Sequence, residues 1–274
     1  MTHLVSSIEK TVSYAAFFKF PVSTEDIYMW LISPRRTSLS KIAQVNSNKF
    51  TSKDRNYRNS LNLISQRKID ESINIIKRLA KIPTIRLISV TGSVAVNNSK
   101  EDDDVDLMIV TKNNSLWLTR LLITVIIYFS GRKRKPNASR TQSSDTLCLN
   151  LWLEERSLTI PVSKRSLYTA HEVLQTLPVY DSGGCYQKFV TKNHWVKRHL
   201  ANAYYNKTRN LKHSDNSSKT IAVNHLLRFL NNLSYLLQYM YMKPKITTES
   251  ISIKSAYFHK INFSKKINDY LEAK

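Results

Sequence analysis

LISVTGSVAVNNSKEDDDVDLMIV, residues 87–110, decides how the rest of the chain is read. A short apolar run, 87–90, reaches a turn at Gly92-Ser93. A polar stretch, 97–101, follows. Four acids, Asp102, Asp103, Asp104 and Asp106, then run straight into a second apolar run, 107–110. Apolar runs of this length bounded by turn residues read as buried strands. Side chains on a strand alternate between faces, so Asp104 and Asp106 share one face and Val105 and Leu107 take the other. Paired carboxylates beside an apolar strand repel each other, and a cation between them relieves the repulsion. Oxygen donors of this kind suit magnesium. Gly92 lets the backbone approach a ligand closely, and Ser93 supplies a hydroxyl and an N–H. N–H groups exposed at such a turn suit phosphate. A phosphate-binding turn beside metal-binding carboxylates is a kit for handling a nucleoside triphosphate. The competing reading is an acidic surface turn within a hairpin.

At these residues the sequence resembles the nucleotidyltransferase superfamily of the DNA polymerase beta type. The resemblance rests on Gly92-Ser93, a gap, and then Asp104-Val105-Asp106, within the wider runs 91–95 and 103–107. It implies an α+β fold: a small mixed sheet of nucleotidyltransferase type, flanked by helices. It implies that Asp104 and Asp106 are catalytic and bind Mg²⁺ (or Mn²⁺), and that Gly92 and Ser93 seat the nucleotide. Members of that superfamily often carry a third carboxylate on the next strand. Here TLCLNLWL, residues 146–153, places Asn150 there. Asn hydrogen-bonds but does not act as a general base. Glu154 shares the parity of Asn150 and is the alternative third position. Some members of the superfamily manage without the third acid, and others act as binding or regulatory modules. Residues 14–31, 148–153, 167–173 and 193–196 are similar to a group of bacterial proteins that carry a nucleotidyltransferase domain, a likeness that brings no substrate with it. The resemblance therefore implies transfer of a nucleoside monophosphate from a triphosphate to an unidentified acceptor. A degenerate module that binds nucleotide or nucleic acid is the second reading.

The chain has 274 residues, of which 42% are hydrophobic, enough for a sizeable core. Lys and Arg number 42 against 20 acids, a formal net charge of +22. That balance favours a polyanionic partner such as nucleic acid, although a solvated Lys-rich surface gives the same number. Cys148 and Cys185 match no metal-ligand spacing and make no disulfide scaffold. A reducing cytoplasm is the expectation, with no secretory signal expected from the first residues. The most apolar stretch, LWLTRLLITVIIYF at 116–129, is short for a membrane span and is interrupted by Arg120. A buried helix is the expectation and no membrane partner is expected, with membrane association through this stretch the weaker alternative.

Residues 1–58 read as an N-terminal helical unit. Apolar residues recur at helical spacing from Val5 to Ala16, Ser23 opens a second helix with Glu25 and Asp26 in its first turn, and 38–45 is a third. Three short helices before a basic stretch, 49–58, match a winged-helix or helix-turn-helix unit as well as a plain packing unit. The core unit is assigned to 59–160. It opens with an amphipathic helix, 60–81, with Leu63, Ile64, Ile69, Ile73, Ile76 and Leu79 on its apolar side and Arg67, Lys68, Lys77 and Arg78 on the other. A basic loop, 131–136, and a loop at 137–145 follow the 116–129 helix. Residues 161–274 read as a helical C-terminal region: helices at 167–177, 186–205 and 221–242, a turn at 179–184, a linker at 206–219 and a short terminal helix. His171 reads as a structural histidine.

Overall fold

The two apolar runs of the opening stretch form neighbouring antiparallel strands in the computed structural model, β1 (Ile85–Thr91) and β2 (Val105–Thr111). The structure describes residues 2–129, 146–209, 225–258 and 263–273. The expected loops at 131–136 and 137–145, and most of the expected linker, lie outside these residues. The expected third strand is β3 (Leu147–Glu154), and it runs parallel to β2. A parallel pair needs a crossover, and the helix at Leu116–Phe129 lies within that connection.

The fold is α+β, with helices on both faces of a mixed sheet. Among the described residues the sheet is completed by β4 (Leu177–Asp181), β5 (Ser250–Ile251) and β6 (Ser255–Tyr257). Its order is β4-β1-β2-β3-β6-β5, and every pairing except β2–β3 is antiparallel. The C-terminal region is therefore not purely helical: it supplies both edges of the sheet. The first half of the segment expected to turn at 179–184 is the end of β4. Pro178 lacks an N–H, which an edge strand tolerates and a central strand does not.

One face of the sheet presents Leu87, Met108, Val110 and Leu153 to α7 (Leu167–Gln175), α8 (Cys185–Lys192) and the turn at His194–Arg198. The other presents Ile88, Val90, Val105, Leu107, Ile109 and Trp152 to the long helix α4 (Ser52–Ala80) and to α6 (Leu116–Phe129). These strand residues are fully buried, and each is worth about 2 kcal/mol of transfer from water. The expected single helix at 186–205 is broken at Asn193, which is fully buried. Its Oδ1 accepts from Ile160 N (2.8 Å) and Trp195 Nε1 (3.1 Å), and its Nδ2 donates to Leu158 O and Phe189 O (2.8 Å each). The chain resumes as α9 (Ala201–Arg209).

The N-terminal helices α1 (Thr2–Phe17), α2 (Thr24–Trp30) and α3 (Leu39–Val45) share a small core around Ile8, Ile27, Leu31 and Ile42. Ser23 caps α2 through a reciprocal pair with Asp26, as its sequence predicts. Asn202 of α9 ties this unit down, accepting from Thr37 N (2.9 Å) and donating to Tyr28 O (2.8 Å). Among residues 2–58 there is no β-hairpin to serve as a wing. The basic stretch at 49–58 is mostly the first turns of α4, which starts earlier than expected because Thr51 and Asp54 form a capping box. Arg58 there pairs with Asp26 and lies 4.3 Å over the Phe20 ring.

Helix α4 also corrects the expected apolar side. Leu63 is 71% exposed, and the buried stripe is Leu61, Ser65, Lys68, Ser72, Ile75, Ile76 and Leu79. This stripe follows helical spacing, but three of its members are polar. Two of them, Ser65 and Lys68, bond to the acidic connection between β1 and β2.

Candidate functional site

The Gly-Ser turn and the acids meet where β1 ends and β2 begins. Thr91 and Asp106 are paired across the two strands. Gly92 follows with φ of +67°, a backbone state that favours glycine. A Cβ built on Gly92 would stand 2.5 Å from Asp106 Oδ2. A side chain at this position would be strained by the backbone conformation and would require the Asp106 carboxylate to shift. Gly92 opens a single helical turn, α5 (Gly92–Ala95), anchored by the fully buried Val94.

Asp104 and Asp106 both lean toward β3. Asp104 Oδ1 accepts from Thr146 Oγ1 at 3.3 Å, and Asp106 Oδ1 accepts from Asn150 Nδ2. Val105 and Leu107, between and beyond them, are fully buried in the opposite layer. The alternation read from the sequence thus holds at this edge. Asn150 owes its aim to an irregularity: Leu107 pairs with Leu149 and Met108 with Leu151, which leaves Asn150 as the extra residue of a bulge. Its Oδ1 accepts from Cys148 Sγ at 2.9 Å.

Glu154, the alternative third position, is elsewhere. It is level with Thr111 at the far end of β2, fully buried, and ion-paired with Arg156 at 2.7 Å. Burial raises its pKa against the opposing pull of Arg156. Parity along the strand is a poor guide across a bulge, and Glu154 is also too far along β3 to join the acids at 104 and 106.

Ser93 is brought to the site, but its hydroxyl serves Asp103: Ser93 Oγ donates to Asp103 Oδ2 at 2.9 Å, and Lys100 N donates to the same oxygen at 3.0 Å. The connection is held from below by Lys68, whose side chain is expected in solvent. Lys68 is instead fully buried, and its Nζ donates to Glu101 O (2.9 Å) and Asp103 O (2.8 Å). Ser65 Oγ accepts from Ser99 N at 3.2 Å, and Arg67 pairs with Glu101. A buried ammonium directed at two backbone carbonyls fixes the loop that presents the acids.

Sequence reasoning missed what α7 contributes. Tyr168 and Glu172 lie four residues apart on α7 and perturb each other's ionisation. Burial, Glu172, Tyr14 and Asp106 together hold the phenol above its ordinary range, which places Tyr168 within the field of the acidic site. Burial lifts the Glu172 carboxyl to about 7, with Tyr168 opposing the rise. His171 is stacked on Tyr14 at 4.0 Å, with Nδ1 3.0 Å from Leu167 O, and burial lowers its pKa to about 4. It is a neutral packing group. The one signal that pointed here was spacing: Tyr168 and Glu172 are four apart on a helix and share a side.

The oxygens at this edge are the carboxylates of Asp104 and Asp106 and the hydroxyl of Thr146, which suit a hard cation such as Mg²⁺, whereas Asn150 turns its amide nitrogen to Asp106. Among the described residues, however, no three His, Cys, Asp or Glu side chains form a ready metal-ligand set. A scan against protein-family models, a search of curated proteins and a search of solved structures each return no match. Among the described residues no helix is long and apolar enough to cross a membrane.

Proposed function

We propose that this chain is a metal-dependent nucleotidyltransferase of the polymerase beta type. The observation that carries this reading is the close approach of the Gly-Ser turn to the acid pair, where a Cβ on Gly92 would stand 2.5 Å from Asp106 Oδ2. A turn of that kind accepts phosphate oxygens through backbone N–H groups. Asp104 and Asp106 would hold Mg²⁺, which when bound neutralises triphosphate charge and stabilises an in-line displacement at the alpha phosphate. Thr146 and Asn150 orient the two carboxylates. Lys68 keeps the acidic connection in place, so the site is assembled before substrate arrives, the condition under which positioning and electrostatics lower a barrier.

The test is a melting experiment with each nucleoside triphosphate and Mg²⁺, alongside transfer from labelled nucleotide. Wild type is expected to be stabilised and to label an acceptor. Asp106→Ala is expected to lose transfer by on the order of 10²–10³-fold while its circular dichroism is retained. Full Mg²⁺-dependent turnover in Asp106→Ala sinks the assignment.

The second reading is a degenerate module that binds nucleotide without transfer. It is favoured by the amide of Asn150 donating to Asp106 Oδ1 at a position where a carboxylate would complete the metal site. Stabilisation by triphosphate with no product for any acceptor class would select it.

A further inference from the structure

Helix α10 (His225–Met242) is amphipathic with its faces reversed. The side turned to the protein is a polar stripe: Asn231 and Ser234 are buried, and Gln238 is partly so. Asn231 Oδ1 accepts from Trp117 N (2.8 Å) and Leu118 N (3.4 Å), at the N-terminus of α6, where those donors have no partner within the helix. Gln238 Nε2 donates to Trp117 O (2.8 Å), and its Oε1 accepts from Arg120 Nη1 (2.5 Å). These bonds fix the rotation of α10 about its axis. Its outward side is then apolar: Phe229 is 64% exposed, Leu233 44%, Leu236 52% and Met240 63%.

Helix α6 behaves the same way on its outer side. It was expected to be buried, yet only Leu116, Trp117, Thr119, Ile123 and Ile127 are. Leu122 and Val125 are 47% and 46% exposed. The two packed helices thus leave many large apolar side chains in water, and clustered apolar exposure of this kind marks an interaction surface.

Charge selects the occupant. Neither helix contains Asp or Glu, and neither does the turn at Lys243–Lys245. Arg228, Lys243 and Lys245 are exposed on and beside α10. A second copy of a chain with a formal net charge of +22 meets this face with like charge, whereas an anionic lipid surface complements it. Helices of 14 and 18 residues span about 21 and 27 Å, short of the ~30 Å hydrocarbon core. They are suited to lie in an interface, apolar side down.

We infer that the α6–α10 face docks this protein onto an anionic membrane surface as a peripheral, non-spanning attachment. The experiment is flotation of the full chain with vesicles of phosphatidylcholine alone and of phosphatidylcholine mixed with phosphatidylserine. The mixed vesicles are expected to capture the protein better. The neutral double variant Leu233→Gln/Leu236→Gln is expected to lose capture by about tenfold or more per residue, with its melting temperature unchanged. Arg228→Gln/Lys243→Gln/Lys245→Gln is expected to weaken capture by the mixed vesicles only. The proposal is overturned if neither vesicle captures the protein, or if both capture it equally. It is also overturned if the Leu double variant binds like wild type, because net charge alone then explains capture. A dimer in light scattering that Leu233→Gln/Leu236→Gln converts to monomer assigns the face to a second copy instead.

Discussion

Helix α4 buries Leu61, Ile75, Ile76 and Leu79 and turns Arg67, Lys77 and Arg78 to water. Helix α10 buries Asn231 and Ser234 and turns Phe229, Leu233 and Leu236 to water. Both carry the helical period in their sequences, and the period says only that a helix has two sides. What decides which side docks is the set of groups waiting on the partner. For α4 these are an apolar sheet face and two carbonyls that Lys68 satisfies. For α10 they are the unpaired N–H groups at the start of α6. Polar anchors on a protein-facing side thus have opposite meanings: Lys68 is an exception within an apolar interface, whereas Asn231 belongs to the interface itself.

That contrast can be broken by substitution, and the largest effect is expected at Lys68. Lys68→Met keeps the volume but strands the carbonyls of Glu101 and Asp103, and a loss of about 3 kcal/mol is expected in urea denaturation. If Lys68→Met is neutral, the ammonium does not hold the connection. Asn231→Ala removes the acceptor for two N–H groups of α6, and about 1–2 kcal/mol should be lost. An unchanged denaturation midpoint would mean that α10 is not oriented by its polar stripe. The smallest effect is expected on the outward side: Leu236→Ser should shift stability by no more than about 0.5 kcal/mol in the monomer. A loss of several times that would show that the chain itself covers Leu236.

The strand, acid, strand core was legible because it is encoded locally. Val105, Asp106 and Leu107 alternate within one strand, and Gly92 marks the turn without reference to anything distant. The helix at Leu116–Phe129 was legible as a helix, but its outer side was not, since uniform apolarity carries no directional signal. β4 was hidden because the expected helix at 167–177 and the expected turn at 179–184 left no room for a strand, and only the open edge of β1 recruits 177–181. The failure at Glu154 came from extending a two-residue period through the bulge at Asn150. Lys68 and Asn231 were beyond local reading for a shared reason: each bonds residues far along the chain, and only the assembled fold brings those partners within 3 Å.

The sheet order also sets a timetable for synthesis. The three central strands are complete once Glu154 has emerged, by which point the Gly-Ser turn, the acids, Thr146 and Asn150 have all been made, whereas α7 has not. Each outer border then waits on later chain, β4 for one side and Tyr257, the partner of Leu151, for the other. A nascent chain therefore carries a formed central hairpin with exposed ladder groups through the making of α7, α8 and α9, and unpaired borders recruit other strands readily. The two segments that end this exposure suit the task. One contains a proline and the other ends in a strand of only two residues, Ser250–Ile251, and neither offers a long template to a neighbour.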